Sequence, residues 1–355
     1  MPFPDVNFFE TSAMNRRLPA EWEPQDGVLL AWPHADSDWY DSLADVVPVF
    51  VRIAAAISRF ERLLIVAPEI APVREQMHAA GVDTARAAFF PVATNDTWAR
   101  DFGPVTVLES QGPVLLDFGF NGWGLKFAAD LDNQVTANLS RFGAFGRCAR
   151  HVPGLILEGG SIESDGAGTL LTSASCLLSP NRNPHLNRRE IEHELASLLG
   201  ASRLLWLENG YLAGDDTDAH IDTLARFCTT DTIAYVRCDD PADEHFAALA
   251  AMEAELRAFR TPAGRPYRLI PLPWPTACHG NDGRRLPATY ANFLIINSAV
   301  LVPTYAVAQD AAALAALACA FPDREIISID CRPLIAQHGS LHCVTMQIPQ
   351  GTLLP

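Results

Sequence analysis

The chain has no apolar run approaching the about 20 residues needed to span a bilayer, so a membrane-embedded role is not expected. Its first residues, MPFPDVNFFETSAMNRR, lack a basic start followed by an apolar stretch, which argues against a secretory signal. The eight cysteines (148, 176, 228, 238, 278, 319, 331 and 343) include no C-x-x-C pair, and without an export signal they read as reduced thiols in a cytoplasmic protein. Basic side chains are scarce: 26 stand against 42 acidic ones, a formal charge of −16. That surface repels phosphate backbones and anionic lipid, so neither nucleic acid nor a membrane is an expected partner, whereas a small cation is favoured. No long Gly/Ser/Pro linker or block of like charge divides the chain, and residues 1–355 read as one domain. What is abundant is apolar: 49% hydrophobic against 19% charged residues gives the balance of a well-buried enzyme.

Strand-like and helix-like runs alternate. VLLAWP (28–33) reads as a buried strand, 43–60 has helical periodicity, and LLIVAP (63–68) is a strand again. After these, a unit of two strands, a helix and a third strand recurs. Its copies are VTVLES, PVLLDF, a helix near 131–143 and LILE (155–158); then 161–164, 168–173, a helix over 187–199 and RLLWL; then DTLARFCTT, TIAYVRC, a helix over 243–259 and YRLIPL; then TYANFLII, AVLVPTY, a helix over 309–320 and EIISID. The C-terminal LHCVTMQIP and the N-terminal strand–helix–strand complete a fifth copy if the chain ends pair. The expected fold is therefore a ring of five α/β modules, closed so that no sheet edge is left open. An ordinary open α/β sheet is the rival reading.

Five polar segments interrupt or open the apolar strands: NDTWARDFGP (95–104), LEGGSIESDG (157–166), GDDTDAHID (214–222), TYANF (289–293) and HGSLHC (338–343). In a ring, equivalent module starts converge, which brings Asp101, Glu158, His220, Asp222, Asn292 and Cys343 together. Cys343 reads either as a nucleophile or as one more small buried hydrophobe. His220, between Asp218 and Asp222, reads as a proton shuttle or as a structural histidine satisfied by Asp218. Its surroundings are too short a signal for a metal site, and His342, beside Cys343 on an expected strand, points the other way. Asp101 and Glu158 suit a planar guanidinium, which pairs bidentately with carboxylates, or else form internal ion pairs such as Arg100 with Asp101. Trp98 and Trp123 either stack on a cation or pack the core. Gly339 lets backbone approach a ligand closely.

Together these segments resemble the agmatine deiminase and bacterial-type peptidylarginine deiminase family of the guanidine-modifying, or pentein, superfamily. The resemblance runs from LPAEWEPQDGVLLAWPH (18–34) to HCVTMQIP (342–349), through TNDTWARDFGP, DFGFNGWG, LEGGSIESDG, LLTSASCLLSPNRNP, LAGDDTDAHIDTLARF, TYANF and FPDREIISIDCRPL. It implies a five-bladed α/β propeller that needs no metal or organic cofactor. Cys343 then matches the nucleophile, His220 the general acid/base and Glu158 the carboxylate that orients His220. Asp101 and Asp222 match the guanidinium clamp, Trp123 lines the channel and Asn292 supports the site. The implied reaction is hydrolysis of the guanidinium of agmatine to N-carbamoylputrescine and ammonia through a thiouronium on Cys343, with a homo-oligomer as the expected assembly. Two departures stand out: the family's GGGN-I-H-C reads Gln337-His338-Gly339-Ser340-Leu341-His342-Cys343, and its T-D-G-H carries Ala219 in place of glycine. Those changes leave another guanidine, such as arginine or a modified arginine, as the alternative substrate. A silent guanidine-binding protein and a metal-dependent hydrolase are the readings from other classes.

Overall fold

The computed structural model describes residues 16–354, so the N-terminal stretch read for a leader lies, up to position 15, outside the described residues. Strand β1 (Gln25–Ala31) is buried along nearly its whole length, as expected of a parallel strand covered on both faces. Helix α1 (Leu43–Ser58) follows, with Val46, Val49, Phe50, Ile53, Ala54 and Ile57 buried at helical spacing against the sheet. The chain returns in β2 (Arg62–Ala67), which pairs parallel with β1. A second crossover, α2 (Ile70–Ala79), leads to a further parallel strand, β3 (Ala87–Pro91), that the sequence reading did not include.

Four three-stranded sheets follow, each an antiparallel pair and then a parallel strand reached through a connection that contains a helix. They are β4 (Val105–Glu109), β5 (Gly112–Leu116), α3 (Val135–Arg141) and β6 (Ala149–His151); β7 (Ile162–Ser164), β8 (Thr169–Ser173), α4 (Arg188–Leu199) and β9 (Arg203–Leu207); β10 (Ala225–Thr229), β11 (Thr232–Arg237), α5 (Phe246–Ala258) and β12 (Arg268–Pro273); and β13 (Leu294–Ile296), β14 (Ala299–Thr304), α6 (Asp310–Ala320) and β15 (Glu325–Asp330). The last strand, β16 (Thr345–Pro349), pairs antiparallel with β1, so both ends of the described chain build one sheet. Five modules and paired chain ends are what the sequence predicted.

Two expectations fail. LILE (155–158) is not the third strand of its module; the exposed β6 takes that place. The apolar character of Leu155 and Leu157 has a different cause: both are buried as the segment runs inward to deliver Glu158, which is fully buried. Cys343 also lies outside a strand, in the turn 341–344 that precedes β16. No helix among the described residues is long and apolar enough to cross a membrane.

Candidate active site

Each module presents one polar residue just ahead of its first strand. Asp101 precedes β4, Glu158 β7, Asp222 β10, Asn292 β13 and Cys343 β16, in every case by two to four residues. Turns at these points let a polar side chain leave the sheet and meet its counterparts. Gly160 shows how tightly they meet. A methyl group there would lie 2.6 Å from His220 Nδ1, 2.9 Å from Asp101 Oδ1 and 3.2 Å from Asp222 Oδ2, so only glycine fits between them.

Cys343 Sγ lies 3.8 Å from Asp222 Oδ2 and 3.3 Å from Asn292 Nδ2, while the Asn292 Oδ1 accepts from the His342 amide at 2.8 Å. Asn292 thus fixes the turn that carries the thiol. Asp101 accepts from the Trp123 indole and from the Gly160 amide, both at 2.9 Å. It makes no pair with Arg100, which instead faces Glu21 at 3.4 Å. Trp98, Trp123, Asp101 and Cys343 line one pocket, together with Phe127, Gln337, His338, Gly339 and the carboxylates of Asp38, Asp96 and Asp216. The close approach that Gly339 permits is to the Trp98 ring, 2.1 Å from where its Cβ would stand.

His220 is fully buried, and among the described residues neither ring nitrogen has a hydrogen-bond partner. Asp101 stands 3.6 Å from Nδ1 and Glu158 4.0 Å from Nε2. Asp218 does not satisfy the imidazole; it pairs with Lys126 at 2.7 Å and Arg182 at 2.6 Å. Arg182 Nε also donates to both oxygens of Glu158, at 2.9 and 2.8 Å. Glu158, Cys176 and His220 bring potential ligand atoms within 4.8 Å of one another, but Arg182 already occupies the cation position on Glu158. That donor set is a poor fit for a metal ion.

The chain as a whole is similar to known proteins. Residues 17–349 match the model of the Porphyromonas-type peptidyl-arginine deiminase family. The chain belongs to that family. A provisionally named arginine deiminase of Porphyromonas gingivalis is 52% identical, with a TM-score of 0.90 over 96% of this chain and 100% of that one. An agmatine deiminase of C. jejuni, solved with substrate bound, is 38% identical, with a TM-score of 0.89 over 97% and 99% of the two chains. Agmatine deiminase of Pseudomonas aeruginosa (strain LESB58) is 32% identical over 94% of this chain and 95% of its own.

Two of the departures from the deiminase pattern sit at left-handed backbone. Ala219 has φ 67° and His338 φ 69°, the left-handed region that glycine enters freely and that costs other residues about 1–2 kcal/mol. His338 Nδ1 donates to the Gly214 carbonyl at 2.7 Å, which ties the altered loop to the 214–218 segment across the pocket. Ser340 reaches the Tyr305 hydroxyl at 3.2 Å.

The electrostatics of this deiminase pocket are those of an incomplete charge set. Burial, then the Asp222 and Asp101 carboxylates, push the Cys343 thiol well above its ordinary range. Burial, reinforced by Asp222, pushes Asp101 well up too. Burial pushes Asp222 up, but the hydrogen bond and charge of His342, with the His220 and Arg226 charges, together hold it below the usual carboxylate range. Burial drives His220 down to about 3, so it is a neutral base over the ordinary pH range. Glu21, Arg182 and Arg226 were absent from the sequence reading, and His342 was set aside on a strand alternation that does not hold in a turn. The buried acid in LPAEWEPQ was the available signal for Glu21.

Proposed function

We propose that the protein hydrolyses agmatine to N-carbamoylputrescine and ammonia, with Cys343 as nucleophile. The observation that carries this reading is the meeting of an uncharged thiol, a hydrogen-bond-free imidazole and two carboxylates: Cys343 and Asp101 line an aromatic-walled pocket, Asp222 lies 3.8 Å from the thiol, and His220, Asp101 and Asp222 converge on Gly160. Asp101 and Asp222 clamp the guanidinium, whose charge lowers the barrier to ionising the thiol. The thiol proton passes to neutral His220, and the thiolate attacks the guanidinium carbon to form a tetrahedral adduct. His220 then returns the proton to the departing nitrogen, and ammonia leaves with the C–N bonding pair. Water attacks the thiouronium carbon, His220 accepts its proton, the C–S bond breaks and the ureido product departs with Cys343 restored. Glu158 steadies His220⁺ on the Nε2 side.

Agmatine is favoured over arginine by the pocket rim. Asp38 and Asp216 line it, Asp96 being occupied by the Trp39 and Trp98 indoles, and among the described residues no lysine or arginine does, so a distal ammonium is favoured over a carboxylate. The relatives that carry the agmatine deiminase name support the same choice. All eight cysteines are free thiols, which suits work in a reducing cytoplasm. Ammonia and ureido-product release from agmatine, arginine and blocked peptidyl-arginine tests this. The expected result is turnover of agmatine that vanishes in Cys343→Ala; turnover of arginine alone would reassign the substrate, and turnover of no guanidine would remove the enzyme reading.

A further inference from the structure

Directly behind the thiol lies a contact that the reaction above leaves unused. His342 is 1% exposed, and its two ring nitrogens each face a carboxylate at 2.7 Å, Nδ1 toward Asp222 Oδ2 and Nε2 toward Glu21 Oε2. Two bonds that short to two acceptors need two protons, so Glu21, His342 and Asp222 act as one hydrogen-bonded unit. The unit is anchored at its far end. Glu21 Oε1 accepts from the Ile295 amide at 2.7 Å and faces Arg226 at 3.0 Å, and Oε2 faces Arg100 at 3.4 Å. Arg226 is itself held by Glu163 at 2.8 Å. Glu21 therefore cannot turn away from the imidazole.

The near end is different. Asp222 Oδ2 takes the His342 bond and is the oxygen 3.8 Å from Cys343 Sγ, while Oδ1 has no partner among the described residues. A carboxylate torsion is broad and roughly two-fold, so one fixed oxygen is what gives the other a direction. The imidazole holds one oxygen, the one that also faces Cys343 Sγ, and leaves the other without a partner among the described residues.

We infer that His342 is a positioning residue of the hydrolysis: it locks Asp222 by one oxygen so that the other meets the guanidinium, with Glu21 as the fixed stop behind it. The inference rests on the deiminase reading above. His342 touches neither substrate nor reacting atoms and acts through Asp222 alone. Loss of the lock frees Asp222 to rotate and to take up a proton, so substrate binding weakens first and most strongly at low pH.

The test compares His342→Ala, His342→Asn and His342→Gln with the wild type, following agmatine turnover against pH and the melting temperature of each protein. Asparagine places an N–H donor near the Nδ1 position, toward Asp222; glutamine places one near Nε2, toward Glu21. His342→Ala is expected to raise KM about 10- to 100-fold, the range of one charge-assisted hydrogen bond, with a smaller change in kcat. The acid limb of kcat/KM is expected to move upward by about one pH unit or more, since Asp222 loses the partner that favours its ionised form. His342→Asn should recover most of the lost KM and His342→Gln should not. A His342→Ala enzyme with wild-type KM and pH profile overturns the inference, as does His342→Asn performing no better than His342→Gln at equal melting temperature. Where His342→Ala does not fold, the asparagine–glutamine comparison decides. A wild-type enzyme that turns over no guanidine defeats the deiminase reading itself, a result distinct from the failure of the variants to differ.

Discussion

Two charged regions of this molecule meet at His342 and are built on opposite rules. Behind the nucleophile, Glu21, Glu163, Arg100 and Arg226 are buried, and each faces an opposite charge within 3.4 Å. In front of it, Asp101, Asp222, His220 and Cys343 are buried just as deeply, yet both His220 nitrogens and Asp222 Oδ1 lack partners among the described residues. Buried polar groups are normally satisfied, because each unsatisfied one costs about 1–3 kcal/mol. Of the four residues behind the nucleophile only Arg226, at Nη2, lacks a hydrogen bond among the described residues, and that atom still faces Glu21 at 3.0 Å; the unpartnered atoms in front have no opposite charge so close. On the proposed reading a planar cation supplies the partner that the front lacks, and the paired back fixes the groups that meet it.

Arg182→Gln breaks the contrast most severely, since it turns Glu158 from a paired carboxylate into an unpaired one and leaves Asp218 with Lys126 as its remaining ion partner. A loss of about 3–5 kcal/mol in unfolding free energy is expected, measured by urea denaturation, together with a large fall in kcat/KM. Gly160→Ala fills the unpaired side while leaving the paired side alone. Its methyl group would overlap His220 and Asp101, so kcat/KM is expected to fall at least about 100-fold, with a stability loss of about 1–3 kcal/mol, smaller than the one Arg182→Gln causes. A mild effect of Gly160→Ala would mean that the acid/base pair is not held at the observed distances. Ala219→Gly is the smallest change. It relieves a left-handed alanine without touching a charge, and stability should rise by up to about 1 kcal/mol.

Much of this was legible in the sequence because the chemistry and the fold share a period. Each module repeats one apolar strand pair and one helix, and the polar residue that precedes each repeat is the one sent to the site. Asp101, Glu158, Asp222, Asn292 and Cys343 stood out for that reason. The errors have physical causes as well. LILE is apolar because it is buried on its way to the site, and β6 is exposed and so carries no apolar signature. His342 was read with the alternation of a strand, but it lies in a turn, where period two has no meaning. Glu21 and His342 are separated by 321 positions, and no local pattern joins them. Arg182 lay inside a motif already linked to the family, yet nothing local ties it to Glu158, 24 positions away. The lost glycines at 337, 338 and 219 suggested altered backbone near the nucleophile; in the structure Ala219 and His338 both hold positive φ, whereas Gln337 does not.

The central claim is that the site is short of one positive charge until a guanidinium arrives. The most direct measurement is the ultraviolet thiolate absorbance of the free enzyme against pH, as a difference from Cys343→Ser. With burial and two carboxylates opposing ionisation, no Cys343 thiolate signal is expected below a pH of about 9. A thiolate plateau already present near neutrality in the free enzyme would contradict the account, because the nucleophile would then be charged without its substrate.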